Sequence, residues 1–195
     1  MIIGITGMNG SGKTAVADYL VSNYGFLHFS GRKFLAEKIT EANESEHRGL
    51  SLEDRESFRV FANELRKKNN SPAYLVEQLV KRAQTMNVNA IIESIRVPGE
   101  IEITRNKFPF VVFAVDAEPH LRYERAVKRG SPIDSVSYEK FIDQEEQEAA
   151  SNDIYEQNLR MCVDLADQKF MNNGTLDDLR LQIDTAMEKY GVTKL

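Results

Sequence analysis

The residues with the clearest chemical meaning form one glycine-rich stretch near the start of the chain. In order, they are Gly7, Met8, Asn9, Gly10, Ser11, Gly12, Lys13 and Thr14. Glycines let successive backbone N–H groups curve round an anion, and a helix that follows directs the positive end of its dipole at the same place. In this pattern Lys13 contacts the β- and γ-phosphates of a nucleotide, and the Thr14 hydroxyl ligates Mg²⁺. The stretch, called the phosphate loop below, therefore predicts a site for a nucleoside triphosphate with Mg²⁺.

The elements that must hold this loop follow from hydrophobic periodicity. An apolar run predicts a buried strand over 1–6, and apolar residues at helical spacing predict a helix over 13–23. Further strands are expected at 26–29, 88–92, 110–115 and 168–171. Strands that alternate with helices are typical of a parallel sheet with right-handed crossovers. Because 195 residues can bury one full-sized core, we expect a single α/β domain over 1–195.

Two helical segments interrupt this alternation. The first insertion covers 31–86 and the second insertion covers 118–151, and both leave the sheet at the carboxyl ends of strands, where such folds bind ligands. Within the first insertion, a polar, acidic stretch over 41–49 is expected to be a mobile connection, and Ser71 with Pro72 is expected to open a helix. A further helix is expected over 154–162.

Three arginines on one predicted helix of the second insertion are candidates for catalysis. Arg122, Arg125 and Arg129 are spaced i, i+3 and i+7, so their side chains are expected to project from one face. A solvated basic stripe is the alternative reading of this pattern. Beside a phosphate loop, however, arginines carried by a mobile segment stabilise the charge of a transferred phosphoryl group and exclude water.

Candidates for the second substrate come from three places in the chain. Ser30 and Arg32 stand at the entrance of the first insertion, and Arg55 and Arg66 lie within it. Glu93 and Arg96 are expected directly after the third strand. Glu93 there could hold Mg²⁺ through water, orient a hydroxyl or accept its proton. The acidic run at Asp143, Glu145, Glu146 and Glu148 is interpreted as a solvated helix face.

Composition narrows the class of partner. A net charge of −5 argues against broad binding to nucleic acid or to an anionic membrane, and no apolar run approaches the length of a membrane span. The single cysteine, Cys162, cannot form an internal disulfide, so the cytoplasm is the expected location. Since the arginines of the second insertion belong to the same chain, none is required from a partner subunit, and a monomer is favoured.

These residues resemble the nucleoside and nucleotide kinase branch of P-loop proteins across the whole chain. Residues 91–96 with 100–102 are similar to archaeal adenylate-kinase-related proteins, and residues 165–167 with 173–176 are similar to the C-terminal segment of those proteins and of dephospho-coenzyme A kinases. The resemblance implies a three-layer P-loop NTPase fold with a five-stranded parallel sheet. It also implies that the first insertion binds the phosphate acceptor, that the second is a lid, and that Asn173 lies against the adenine of ATP.

The expected function is ATP- and Mg²⁺-dependent phosphoryl transfer to a small phosphorylated acceptor, a nucleoside or deoxynucleoside monophosphate. Carried over from the resemblance, Glu93 and Arg96 would face the acceptor, and Arg55 and Arg66 are further candidates for its phosphate. Dephospho-coenzyme A kinase is an alternative, although those enzymes carry an aspartate where this chain has residues 30–32, Ser-Gly-Arg. A nucleotide-binding switch or assembly factor with slow ATPase activity is a third hypothesis.

Overall fold

The computed structural model describes residues 1–46, 48–53, 55–130 and 136–195. Its centre is a parallel sheet with the strand order β2-β3-β1-β4-β5. The strands are β1 Ile2–Thr6, β2 Leu27–Ser30, β3 Ala90–Ile95, β4 Phe110–Asp116 and β5 Gln168–Met171. The α/β class and the five-stranded parallel sheet expected from the sequence are confirmed.

Helices connect and cover these strands. In chain order they are α1 Lys13–Tyr24, α2 Gly31–Glu46, α3 Arg55–Lys68, α4 Tyr74–Met86, α5 Pro98–Lys107, α6 Pro119–Lys128, α7 Tyr138–Ala149, α8 Leu159–Asp164 and α9 Leu176–Lys189. No helix in the described part of the chain is both long and apolar enough to span a membrane. The break expected at residues 130–132 lies largely outside the described residues.

The sheet separates two hydrophobic cores because successive strand side chains point to opposite faces. On β3, Ile91 packs with α1 and α9 on one face, whereas Ala90 and Ile92 pack with α3, α4, α5 and α8 on the other. Strands buried on both sides read as continuous apolar runs, which is why their positions were predictable. The result is a three-layer arrangement whose carboxyl edge remains open.

The first insertion is more helical than expected. The stretch over 41–49 was predicted as a mobile connection, but α2 continues through it to Glu46. Ile39 and Ala42 of α2 are buried against Phe58 and Phe61 of α3, forming a small core of their own. These contacts come from the next helix of the chain, so the sequence of 41–49 taken alone did not show that α2 continues into it.

Three other boundaries differ from expectation. The fourth helix, α4, starts at Tyr74 rather than at Ser71-Pro72, and its N-cap residue Ala73 makes no side-chain capping hydrogen bond. The third strand continues beyond Ile92 to Ile95, so Glu93 lies within the strand. The helix expected over 154–162 begins only at Leu159, where the Asn158 side chain accepts a hydrogen bond from the Met161 N–H.

A buried ion pair fixes the first insertion to the sheet. The Arg66 guanidinium at the end of α3 donates to Glu100 Oε1 over 2.9 Å, and both side chains are almost fully buried. The other oxygen of Glu100 accepts the backbone N–H groups of Arg96 and Val97 at 2.8 and 3.0 Å. One carboxylate therefore ties α3 to the start of α5 and to the chain segment that carries Arg96.

Candidate active site

The phosphate loop follows β1 directly and has a backbone that only glycine accommodates at two points. Gly10 has φ +73° and Gly12 has φ +108°, both in the left-handed region. A Cβ on Gly10 would collide with the Arg122 carbonyl group, and one on Gly12 would collide with the Asn172 side-chain amide. Neighbouring elements therefore approach the loop so closely that its shape is fixed on both sides.

Lys13 is held inside this loop in a position suited to an anion. Its Nζ donates to the carbonyl oxygens of Gly7 and Met8, both at 2.8 Å. Burial, followed by the positive charge of Arg96, lowers the pKa of Lys13 from 10.5 to about 7, although the Glu93 and Glu148 carboxylates act in the opposite direction. Because the charged form of Lys13 is destabilised in the ligand-free protein, a bound phosphate would stabilise that form strongly.

Thr14, the second residue of α1, contacts a carboxylate from β3. Its hydroxyl donates to Glu93 Oε1 at 3.1 Å, and the other oxygen of Glu93 lies 2.8 Å from His28 Nε2 of β2. Burial opposes ionisation of Glu93, but hydrogen bonds from His28 and Thr14 and the charges of His28 and Lys13 prevail, so its pKa is lowered. His28 is a site residue that the sequence analysis missed, because an isolated histidine on a short strand carries no spacing signal.

A β-bulge near the end of β3 changes the direction of the side chains that follow Glu93. The register against β1 shifts between Ile5 and Thr6, which pair with Glu93 and Ile95, so Ser94 is the extra residue. Ser94 has φ +76°, a conformation unusual for a residue with a side chain. The Thr6 hydroxyl secures the bulge by donating to the Ile95 carbonyl group at 2.9 Å. Bulges of this kind redirect side chains, and this one lies between Glu93 and Arg96.

The side chains of the three arginines of the second insertion do not all point into the cleft. Arg125 and Arg129 line the cleft beside the phosphate loop, and Arg129 Nη2 donates to Asn9 Oδ1 at 3.1 Å. Arg122 instead is buried between α6 and α7, where it donates to the Ala117 carbonyl group at 2.7 Å and pairs with Glu145. Its expected place beside the other two is not observed, since the carboxylate of α7 draws its side chain away.

The turn after β5 supports the phosphate loop through Asn172, the neighbour of Asn173. Asn172 is buried, and its amide donates to the Ser11 carbonyl group at 2.8 Å. The backbone carbonyl oxygen of Asn172 accepts from Arg125 Nη2 at 2.9 Å. Asn173, which was expected against adenine, accepts the Glu118 N–H at 2.8 Å and so joins the turn to the second insertion.

The opposite end of the cleft is formed by the first insertion and the segment after β3. Arg32 lies over the Phe58 ring, 4.3 Å from its centroid. Ser30 lines the cleft at the end of β2, and its hydroxyl accepts the Lys33 N–H at 3.3 Å. Arg66 and Arg96 both line the cleft, but the Arg66 guanidinium is almost fully buried in the cleft wall, where it is engaged by Glu100.

Two carboxylates interpreted from the sequence as solvated are partly or largely covered. Glu145 pairs with Arg122, and Glu148 lies between Arg96 and Arg55. Glu146 remains exposed and pairs with Arg160. The interpretation was wrong for Glu145 and Glu148, because their arginine partners come from segments far away in sequence.

One cleft extends from the phosphate loop to the arginines of the first insertion and of the segment after β3. Its volume is about 1120 Å³, and its lining runs from Lys13 and Thr14 to Ser30, Arg32, Arg55 and Arg96. Pockets for one small ligand typically have about 300–1,000 Å³, so the cleft is large enough for two ligands placed end to end.

The loop fits a bound phosphate. The buried Ser11 hydroxyl has no hydrogen-bond partner among the described residues. The loop before Lys13 has a backbone that requires glycine at positions 10 and 12. Thr14 with an ionised Glu93 beside it provides oxygen ligands of the kind that Mg²⁺ takes directly or through water. The residues present therefore fit a nucleoside triphosphate and its metal ion.

Comparison with known proteins agrees with this geometry. A family model described as an AAA domain matches residues 3–153. A UPF0200 protein from Thermococcus sibiricus is 29% identical, with 100% of this chain and 97% of the relative covered. Another, from Methanothermobacter thermautotrophicus, is 32% identical, with 76% and 72% covered. The structure of shikimate kinase from Acinetobacter baumannii in complex with shikimate has a TM-score of 0.60 at 14% identity, with 97% and 93% covered.

The sheet, the phosphate loop and the structural neighbours define a P-loop kinase-like α/β protein. Within that class, the chain belongs to the AAA-domain family whose model it matches and to the UPF0200 proteins. The assignment to a P-loop kinase-like family made from the sequence is confirmed. At 14% identity the likeness to shikimate kinase shows the fold alone.

Proposed function

We propose that this protein transfers the γ-phosphoryl group of ATP, with Mg²⁺, to a nucleoside monophosphate. The observation that carries the proposal is that one cleft contains both the phosphate loop and, at its other end, arginines. A kinase for a phosphorylated acceptor needs two anion sites in line, close enough for direct transfer and shielded from water.

The donor end has defined tasks for its residues. When bound, the nucleotide with its metal ion supplies the phosphoryl group and neutralises part of its charge. Lys13 would exchange its two carbonyl contacts for phosphate oxygens, and Thr14 and Glu93 would hold the metal ion. Arg125 of α6 and Arg129, the residue after this helix, would stabilise the charge spread over the transferred group.

The acceptor end suits a phosphate monoester. A monophosphate already carries an ionised oxygen, so no side chain has to remove a proton before that oxygen attacks. This agrees with the serine, glycine and arginine at 30–32 and with a Glu93 that is engaged by Thr14 and His28. Arg32, Arg55 and Arg96 supply positive charge, and apolar side chains such as Leu35, Phe58 and Leu79 line the wall beside them.

The first test is thermal stabilisation of the purified protein. The ligands are ribo- and deoxyribonucleoside monophosphates, dephospho-coenzyme A and shikimate, each with and without Mg²⁺ and a non-hydrolysable ATP analogue. A ligand that binds only the native state raises the unfolding midpoint with the logarithm of its concentration. ADP formation is then measured with each ligand that stabilises the protein.

We expect one monophosphate to raise the midpoint strongly and to accelerate ADP formation. Stabilisation and turnover with dephospho-coenzyme A or shikimate instead would assign a different acceptor and reject the proposal. Slow hydrolysis of ATP at the same rate with every small molecule would favour a nucleotide-binding switch with a macromolecular partner.

A further inference from the structure

A carboxylate of the second insertion lies between two arginines of the acceptor end. Glu148 Oε2 of α7 accepts from Arg96 Nη1 at 2.9 Å, and Glu148 Oε1 lies 3.9 Å from Arg55 Nη1. Arg96 Nη1 also donates to Gln157 Oε1 at 3.2 Å. The three charged residues come from α7, from α3 and from the segment after β3, so they meet only in the folded protein.

This cluster lies within reach of the phosphate loop. Glu148, Arg55 and Arg96 all line the cleft that contains Lys13. The charges of Arg96 and Glu148 act on Lys13 in opposite directions, one lowering its pKa and the other raising it. An anion placed between the two arginines would therefore lie in the same cleft as Lys13, close enough for their charges to interact.

Holding α7 in place does not require Glu148. One turn earlier, Glu145 of the same helix pairs with the buried Arg122, and the Phe141 side chain of α7 is itself buried. Glu148 instead directs its carboxylate into the cleft, where it contacts Arg96 closely and Arg55 only at long range. A tetrahedral phosphate monoester with three terminal oxygens can engage both guanidinium groups, whereas this carboxylate engages one of them well.

We propose that Glu148 is an internal substitute for the anionic group of the acceptor, and that a bound acceptor displaces it from Arg96 and Arg55. The inference rests on the proposed function and identifies the acceptor group as a phosphate monoester. Glu148 then determines specificity, because an acceptor without an anionic group cannot compete for the two arginines. Displacement would also release the end of α7 from the first insertion when the acceptor arrives.

The test is the affinity of the full-length protein for inorganic phosphate and for acetate at constant ionic strength, measured by calorimetry. A saturating non-hydrolysable ATP analogue with Mg²⁺ fills the phosphate loop in every titration. The variant is Glu148→Gln, which keeps the shape and removes the charge. Glu146→Gln is the matched control, since Glu146 lies on the same helix and pairs with Arg160 outside the cleft.

We expect Glu148→Gln to bind phosphate roughly fivefold more tightly, the change expected from removing one partly exposed ion-pair partner. Phosphate should bind this variant more tightly than acetate, and Glu146→Gln should behave like the wild type. The gain should vanish when Arg96→Gln is added. A ligand-free midpoint lowered by Glu148→Gln and restored by phosphate would agree with the same model.

Unchanged or weaker phosphate binding in Glu148→Gln would overturn the inference and leave Glu148 a structural partner of Arg96. Preference for acetate would reject the phosphate monoester. If Glu148→Gln does not fold, Glu148→Asp keeps the charge but shortens its reach, and tighter phosphate binding is expected there too. Because no turnover is measured, absence of monophosphate kinase activity would reject the proposed function without deciding this test, and the reverse also holds.

Discussion

The two ends of the cleft are built in different ways. At the donor end, a continuous stretch of eight residues supplies backbone groups and one lysine, and its shape is imposed by close contacts with the Arg122 carbonyl group and the Asn172 amide. At the acceptor end, side chains from separate segments provide the charge, and carboxylates of the protein itself face them, as Glu100 faces Arg66 and Glu148 faces Arg96.

This difference shows two solutions to one physical problem, which is to keep positive charge ready for an anion. The donor end weakens the charge, because the pKa of Lys13 is lowered to about 7. The acceptor end keeps permanently charged arginines and balances them with internal carboxylates. The donor end should therefore respond to pH, and the acceptor end should respond to removal of its carboxylates.

The largest effect is expected from removing the lysine of the donor end. Lys13→Ala should reduce phosphoryl transfer by at least about 10³-fold while the protein stays folded, because a preorganised positive charge at the transferred group is lost. Turnover is measured by acceptor-dependent ADP formation and folding by circular dichroism. Lys33→Ala, an exposed lysine of α2, is the control and should retain full activity. Turnover like that of the wild type in Lys13→Ala would contradict the assignment of the donor end.

The acceptor end should be sensitive to its buried ion pair. Glu100→Gln leaves the Arg66 charge buried without a partner carboxylate, which costs about 3 kcal/mol. For a chain of this size we expect the thermal midpoint to fall by roughly 6–12 °C. The exposed neighbour Glu102 on the same helix provides the control Glu102→Gln, which should change little. Equal midpoints for the two variants would mean that the buried pair does not stabilise this end.

Two glycine substitutions distinguish the effect of a close contact on stability from the effect of backbone strain. Gly12→Ala places a Cβ against the Asn172 amide in a left-handed backbone, so it should lower stability by about 2 kcal/mol and weaken nucleotide binding. Gly49 has φ +64° and nothing within 4 Å of an added Cβ, so Gly49→Ala adds strain alone and should cost about 1 kcal/mol or less. Chemical denaturation measures both variants. If both lose the same stability, contact with Asn172 does not shape the loop.

The smallest effect is a pH dependence confined to the donor end. Lys13 is half deprotonated near pH 7 in the ligand-free protein, and a bound phosphate raises its pKa again. Nucleotide binding should therefore take up a proton above pH 7, and affinity should fall roughly fivefold between pH 7 and pH 8. Calorimetry in two buffers with different ionisation enthalpies measures the uptake. Uptake that persists unchanged in Lys13→Met would assign it to another group.

The donor end was predictable because its determinants are local. The phosphate loop is one uninterrupted motif, and the strand and helix beside it are continuous apolar patterns. Lys13 and Thr14 were therefore placed correctly next to each other and next to Glu93. The support that Asn172 gives the loop was not predicted, because a turn sequence does not show which of two adjacent asparagines points inward. The contact of Asn173 with adenine stays a prediction.

The acceptor end was less predictable because its structure depends on distant contacts. The Arg66 guanidinium and the Arg96 backbone are both held by Glu100, which lies 34 residues beyond Arg66 in the sequence. The last part of β3 was not predicted, because strands are recognised by their apolar residues and Glu93 and Ser94 are polar. The bulge also interrupts the alternation of side chains between the two faces of the sheet. Glu148 was interpreted as solvated because its partners, Arg96 and Arg55, are also far away in sequence.

The buried pair of Arg66 and Glu100 also has a consequence for hydrogen exchange. If α3 opened alone, the Glu100 carboxylate would remain in the core without its arginine partner, still bound to the Arg96 and Val97 amides. Local opening of the first insertion is therefore costly, and the amide protons at the end of α3 should exchange at rates close to those of the sheet. The insertion and the sheet then form one cooperative unfolding unit.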